Sequence, residues 1–330
     1  MPSDIGLVTK ACAKSISAAA NLLRTGGLVA FPTETVYGLG GDATNNDAVA
    51  RIFEAKGRPS FNPLICHVAN IDAAREIAVF SPLAEKFADA FWPGPLTLVL
   101  PRTEQSPVSQ LVSAGMETIA VRVPANETAQ ALLRAVGRPV AAPSANASGG
   151  ISPTKAAHVN ASLGDNIDMV LDGGTCDIGL ESTILLCVGD KISLLRSGGL
   201  ETETIEKFLG TTKLVVAPDD VENAPLAPGR LKSHYAPRAK VRTDITSVKH
   251  GESLLAFGPD LLDGFENAHM VLNLSDTGNL VEAAANLFDF LHQLDETGAL
   301  VIACAKVPET GLGVAINDRL RRAAAPRDKN

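Results

Sequence analysis

The sequence predicts an α/β protein: one large mixed, twisted sheet flanked by helices, followed by a smaller parallel α/β unit. Three observations predict it. Over the first 210 residues, segments with apolar residues at helical spacing alternate with short, continuously apolar runs of strand type. Several of these runs follow one another directly, as antiparallel neighbours do, so the sheet is mixed. From about Thr211 the texture changes to an acidic, proline-bearing stretch, then to strands alternating with helices over the remainder of the chain. With 330 residues, two domains fit better than one. The expected division is 1–210, a linker at 211–237, and 238–330.

In order along the chain, Ile16, Ala19, Ala20 and Leu23 mark a first helix, stopped by Gly26 and Gly27. Leu28 to Phe31 reads as a buried strand. Val49, Ile52 and Phe53 mark a second helix, and Pro63 to Val68 a strand. A helix is expected near Pro82 to Phe91, then strands at Thr97 to Leu100 and Thr118 to Val123. A helix from about Glu127 to Val136 precedes a strand at Val140 to Ala142. Strands at Met169 to Leu171, Ser182 to Val188 and Ile192 to Leu195 complete the first part. The linker signature is strongest from Ala217 to Pro228, with Pro218, Pro225 and Pro228. Beyond it, strands are expected at Ser253 to Phe257, Met270 to Leu272 and Leu300 to Cys304, and helices at Leu280 to Leu294 and Ala315 to Ala324.

Composition narrows the function. Hydrophobic residues make up 45% and charged residues 20%, enough for a packed core, while aromatics at 4% leave the interior to aliphatic side chains. A net charge of −8 argues against nucleic-acid binding by bulk charge. The basic tail from Arg319 to Lys329 reads as a solvated end. Five cysteines, Cys12, Cys66, Cys176, Cys187 and Cys304, are scattered without a C-x-x-C pair, which fits free thiols in a reducing compartment and no zinc site. Cys66 adjoins His67, but strand neighbours face opposite ways, so they do not form a catalytic pair. No apolar run reaches the ~18 residues of a membrane span, and the N-terminus lacks a secretory pattern. A cytoplasmic location is expected.

Several segments carry candidate chemistry. In Phe31 to Gly41 a strand runs into Thr33, Glu34 and Thr35 and then Gly38, Gly40 and Gly41, glycines that suit a sharp turn or a close approach to a ligand. Lys56 and Arg58 leave a helix end for a proline-bounded loop with Asn62, either to complement the helix dipole or to clamp phosphate, one as a point charge and the other as a planar fork. His67 lies in an apolar strand, as a core residue or a ligand group. Small residues from Ala141 to Asn146 include Ala142 and Ser144. Ser152 before Pro153 reads as a helix N-cap, a position that also favours phosphate. Ser182 enters a strand and Arg196 ends the next. Arg122, on the strand that begins at Thr118, needs a partner, structural or a substrate carboxylate. His234 and Tyr235 follow the linker. There is no Ser–His–Asp set, metal-ligand cluster or Walker lysine. Lysine, arginines and hydroxyls together suit an anionic nucleotide and a small polar metabolite.

FPTETVYGLGGDA, the KGRPSFNPL loop, FWPGPLT, PSAN, GLESTI and SHYAP occur here in the order found in threonylcarbamoyl-AMP synthases, and the chain resembles the long form of that family. The later part matches mainly through Gly311 to Arg319. The resemblance implies a YrdC-like catalytic domain, a linker lid, and a small Rossmann-like α/β C-terminal domain. It implies a nucleotidyltransferase that makes threonylcarbamoyl-adenylate and pyrophosphate from L-threonine, bicarbonate and ATP, and feeds proteins that modify tRNA. Threonine would then lie against Thr33, His67, Arg122, the backbone at Ala142, and Ser182. ATP would contact Lys56, Arg58, Asn62, Thr118, Ser144, Ser152, Arg196 and Tyr235, with Lys56 and Arg58 as catalytic charges on the departing pyrophosphate. Magnesium (Mg2+) is expected on the ATP phosphates, with no protein ligand set. Ser197 stands where the family commonly has proline, which implies a looser loop behind Arg196. The competing readings are an RNA-binding module using the same basic cleft, disfavoured by net charge and the scarcity of aromatics, and a regulatory nucleotide binder without turnover.

Overall fold

The computed structural model describes residues 7–189, 191–211, 214–217, 228 and 233–326. Most of the expected linker between Ala217 and Pro228, and the tail beyond residue 326, lie outside the described residues. In the first part, β1 (Val8–Lys10), α1 (Ala13–Arg24), β2 (Val29–Phe31), β3 (Gly38–Asp42), α2 (Asn46–Lys56) and β4 (Ile65–His67) are followed by α3 (Ile71–Arg75), α4 (Pro82–Phe91), β5 (Leu96–Pro101) and β6 (Thr118–Arg122). Next come α5 (Glu127–Val136), β7 (Val140–Ala141), α6 (Ala156–Leu163), β8 (Met169–Asp172), β9 (Thr183–Val188), β10 (Lys191–Arg196), α7 (Thr202–Leu209) and β11 (Val215–Val216). These strands form one sheet in the order β1-β8-β2-β3-β7-β4-β6-β5-β9-β10-β11, with parallel and antiparallel pairs interleaved. The remainder holds β12 (Lys240–Arg242), β13 (Ser253–Ala256), β14 (Val271–Asn273), α8 (Leu280–Glu296), β15 (Val301–Cys304) and α9 (Leu312–Ala324). Its four strands are all parallel, in the order β12-β15-β13-β14.

Local signals fix the helices that sequence reading located to the residue. Ser81 accepts the Ala84 N–H and stands before Pro82 at the first helical position. Asn126 caps α5, and Gly137 ends it in the left-handed conformation at φ 67°.

Two expectations are corrected. Gly38 to Asp42 is not a turn but the buried strand β3. A Cβ on Gly40 would sit 2.9 Å from Phe31 and one on Gly41 2.9 Å from Ile52, so these glycines let β3 pack against its neighbours and α2. Ser152 is not an N-cap, because α6 starts only at Ala156 and the Ser152 hydroxyl is given to Glu181.

Side-chain alternation divides the large sheet between two faces. Cys66, Val121 and Leu185 point into the main core, with Ile52 and Phe87 packed on it. On the opposite face α1 and α5 cover Val29, Phe31, Val140 and Met169. Farther along that same face, Ile65, Val99, Ala120 and Ile184 form only a small cluster, and the polar residues of the site stand beside it. His67 thus faces away from Cys66, as strand geometry requires.

Candidate functional site

The uncovered half of this face carries a cleft lined by hydroxyl, imidazole and guanidinium groups. Strand register assembles its floor. His67 on β4 lies opposite Arg122 on β6, and Ser182, one residue before β9, reaches the same face. A register shift between Leu194 and Arg196 brings both Leu195 and Arg196 to the cleft side of β10. Thr33 and Thr35 come from the loop after β2. Gly38, Ala142 and Ser144 form one wall, and Pro228, His234 and Tyr235 close another.

One half of the cleft suits a small zwitterion. The Arg122 guanidinium, buried, donates to Glu34 Oε1 at 2.6 Å, Thr35 Oγ1 at 2.8 Å and the Gly94 carbonyl at 3.2 Å. Burial would raise the Glu34 pKa, but Arg122 holds the carboxyl below its usual range. Glu34 Oε2 has no partner among the described residues. Thr33 Oγ1 bonds Thr35 Oγ1 and the Val36 carbonyl, both at 2.7 Å. Ser182 Oγ lies 2.7 Å from Thr97 Oγ1. Burial, aided by Arg122, pushes His67 down to about 3, so its imidazole is neutral at pH 7. His67 Nδ1, 3.3 Å from the Ile65 carbonyl, is placed to donate there, which leaves Nε2 as an acceptor.

The other half is rich in buried cations. Arg58 donates to the Asn62 and Pro63 carbonyls at 3.1 and 2.8 Å. Arg196 donates to the Ser182 carbonyl through Nε and Nη2 and to the Pro228 carbonyl through Nη1. Lys56 Nζ donates to the Ser144 carbonyl at 2.5 Å and to the Asn146 carbonyl. Burial and Arg58 hold Lys56 well below the usual lysine range, and burial lowers Arg58 and Arg196 as well. These three cations rest largely on carbonyl dipoles, an arrangement short of negative charge. Beside them, both side-chain amide atoms of Asn62, His234 Nδ1 and the Tyr235 hydroxyl are buried without a partner among the described residues. Burial pushes His234 down to about 3, against the opposing effect of Glu181.

Of the residues proposed from sequence, Thr33, His67, Arg122, Ala142 and Ser182 all line the cleft, and so do Arg58, Ser144, Arg196 and Tyr235. Lys56 and Asn62 stand behind the lining, in the loop bonds just described. Ser152 is removed from it, its hydroxyl 2.6 Å from Glu181 Oε1. Thr118 starts β6, four residues and about 13 Å from Arg122 along an extended strand, and is not among the residues that line this cleft. The loop behind Arg196 is tied back next to Ser197. The Gly199 N–H bonds the Glu181 carbonyl at 2.8 Å, and a Cβ on Gly198 would come within 2.2 Å of that oxygen.

Sequence reading placed Glu34 and Thr35 beside Thr33 at a strand end, without a partner for either, and gave no role to Glu181 or His234. The partners of the two acids, 88 and 138 residues away, leave no local trace. Among the described residues no group of three His, Cys, Asp or Glu could hold a metal ion, and no helix is long and apolar enough to cross a membrane.

Comparison with known proteins bears on this geometry. The Sua5_yciO_yrdC family profile, described as telomere recombination, matches residues 21–198, and the profile described as threonylcarbamoyl-AMP synthase, C-terminal domain, matches residues 200–325. Threonylcarbamoyl-AMP synthase of Pyrococcus abyssi is 44% identical, over 94% of this chain and 94% of that protein. That of Bacillus subtilis is 42% identical, over 94% and 93%. The crystal structure of P. abyssi Sua5 complexed with L-threonine superposes with a TM-score of 0.87 at 40% identity, covering 97% of both chains.

Proposed function

Because the chain belongs to the Sua5–YciO–YrdC family, in the two-part form of the threonylcarbamoyl-AMP synthases, we propose that it makes L-threonylcarbamoyl-adenylate from L-threonine, bicarbonate and ATP. The observation that carries this reading is the division of one cleft into a hydroxyl-lined half around Arg122 and a half ringed by Arg58, Arg196 and, behind them, Lys56. The crystal structure of a relative with threonine bound supports the first assignment.

Arg122 has guanidinium N–H groups beyond those used on Glu34, Thr35 and Gly94, and these would receive the threonine carboxylate. Thr33 and Ser182 would meet the polar side of the amino acid. The threonine amine attacks the carbon of carbon dioxide, opening one C=O bond, or that of bicarbonate, from which water leaves, and the nitrogen gives up a proton. His67, kept neutral by burial, would accept a hydrogen bond from the amine and orient it, while the proton leaves to solvent. An oxygen of the resulting N-carboxylate forms a bond to the α-phosphorus of ATP as the bond to the bridging oxygen breaks. The departing pyrophosphate gains charge, which Arg58 and Arg196 meet directly and Lys56 from behind. No covalent enzyme intermediate is needed, so the rate comes from positioning and preset charge.

The residues present do not form a magnesium cage: Glu34 and Glu181, the carboxylates of this region, are each engaged by an arginine. Magnesium would arrive on the nucleotide and neutralise part of its phosphate charge. The five free cysteines support a reducing, cytoplasmic setting, and the product would pass to proteins that transfer the threonylcarbamoyl group to tRNA. No observation favours RNA binding by the cleft, whose cations are buried.

The test is pyrophosphate release from ATP with and without threonine and bicarbonate. Strict dependence on threonine is expected, with a loss of at least about tenfold in Arg58→Ala. Release that ignores threonine would overturn the reading.

A further inference from the structure

We propose that Arg319, on α9, is a positioning residue for the nucleotide half of the cleft, acting through Glu181 and Tyr235. The proposal rests on the adenylation reading above and gives the C-terminal part of the chain a defined task in it.

Arg319 has no exposed surface. Its Nε donates to Glu181 Oε2 at 2.8 Å and its Nη1 to Asp318 Oδ2 at 2.7 Å. Its Cζ lies 5.2 Å from the centroid of the Tyr235 ring, within cation–π range. Both Glu181 and Tyr235 line the cleft, so one side chain from α9 touches two walls of a site built mainly from the large sheet.

Each of these residues organises others. Glu181 Oε1 accepts the Ser152 hydroxyl, and its carbonyl accepts the Gly199 N–H, which fixes the segment whose Ser182 carbonyl anchors Arg196. Tyr235 has a left-handed backbone at φ 63°, unfavourable for a bulky residue, and persists only where its surroundings over-determine it. Those surroundings are Arg319, Phe288 with its ring centroid 5.6 Å away, and the Ala236 N–H bonded to the Gly149 carbonyl at 2.8 Å.

Stability alone gives little reason for the arrangement. A buried ion pair is often no better than apolar residues of the same volume, because both charges lose their water. Here Arg319 also keeps Nη2 buried with no partner among the described residues. A charged side chain held under that penalty, between two cleft-lining groups, fits a part whose work is done in the cleft.

The experiment uses the full chain and threonine-dependent pyrophosphate release. Arg319→Met is combined with Glu181→Gln, which removes both charges together so that neither is left buried alone, and the melting temperature is measured in parallel. Expected is a near-native melting temperature, an ATP KM raised at least about tenfold, and a threonine KM within about threefold of wild type. Tyr235→Ala is expected to raise the ATP KM as well, and adding it to the double variant should cost less than the product of the two effects, because all three residues act as one unit. Equal rises in both KM values, an unchanged ATP KM, or strict additivity would overturn the proposal. So would a double variant that does not fold, which would assign the pair to the core. An inactive wild type would count against the adenylation reading and take the inference with it, whereas an active wild type beside unaltered variants counts against Arg319 alone.

Discussion

Replacing Arg122 by glutamine should damage stability and threonine use by separable amounts. Arg122 is 3% exposed and Glu34 7%, so the pair has little access to water. In Arg122→Gln, Glu34 Oε1 loses its cation while Oε2 already has no partner among the described residues. Breaking a buried pair from one side costs about 3–5 kcal/mol. Protonation of Glu34 relieves part of this, since burial raises its pKa once Arg122 no longer holds it down. The melting temperature should fall by several degrees. A second loss falls on substrate: a charge-assisted contact to the threonine carboxylate is worth ~1.5–3 kcal/mol, or roughly 10- to 150-fold in KM. Adding Glu34→Gln removes the stranded carboxylate. The double variant should recover most of the melting temperature and none of the threonine KM, with the ATP KM little changed in both. Steady-state kinetics and thermal denaturation on the two variants decide the matter. If Glu34→Gln restores threonine KM along with stability, Arg122 only holds the loop. If ATP and threonine KM rise together, the carboxylate assignment is wrong.

Three further outcomes are expected. The imidazoles of His67 and His234 are pushed to about 3, so below pH ~6.5 the unfolded chain binds protons that the folded one refuses; stability is full above that point and falls toward pH 3, by about 2 kcal/mol for each group between pH 6.5 and 5, and a melting temperature constant over that window would refute it. Lys56 is held well below its usual range by burial and Arg58, and a triphosphate raises it, so ATP binding should take up protons and weaken as pH rises; calorimetry in buffers of different ionisation enthalpy tests this, and no net uptake would count against it. Gly179 has φ 71°, and a Cβ there would lie 2.4 Å from the Ala284 carbonyl oxygen on α8, so Gly179→Ala should force α8 off the cleft-bearing part, seen as faster proteolysis at the junction and a higher ATP KM, and wild-type behaviour in both would show that this contact is dispensable.

Where structure follows from neighbours in sequence, it was legible. Ser81, Asn126 and Gly137 set helix ends through bonds and dihedrals spanning a few residues, and α4 and α5 run as read. Three-residue strands such as β1 and β12 hold too few residues for any periodicity to register, and β3 is built of glycine, which ordinarily weakens a strand. What makes β3 a strand is its pairing with β2 and β7, and the lack of room beside Phe31, Val140 and Ile52 is what requires glycine there. Candidate site residues at strand ends were found because a polar group ending an apolar run is conspicuous. The cap reading of Ser152 failed for the opposite reason: Ser-Pro is a good cap signal, and a glutamate far along the chain claimed the hydroxyl. Thr118 stands away from Arg122 because proximity in sequence means distance when the chain between them is extended.

The charge balance of the cleft explains why its cations are affordable at all. Glu34 is matched to Arg122 and Glu181 to Arg319, two acids for two arginines, with Asp318 adding to the second network. Arg58, Arg196 and, when protonated, Lys56 remain, each buried and supported chiefly by carbonyl oxygens. Carbonyl dipoles offset only part of the cost of removing a full charge from water, so the unliganded cleft holds a local electrostatic deficit that a polyanion would relieve. A carboxylate added among these three side chains would stabilise the empty protein and compete with the triphosphate for the same charge. Keeping the acids on the two outer arginines leaves the inner cations available to the phosphates, whose charge would offset the cost of burying them.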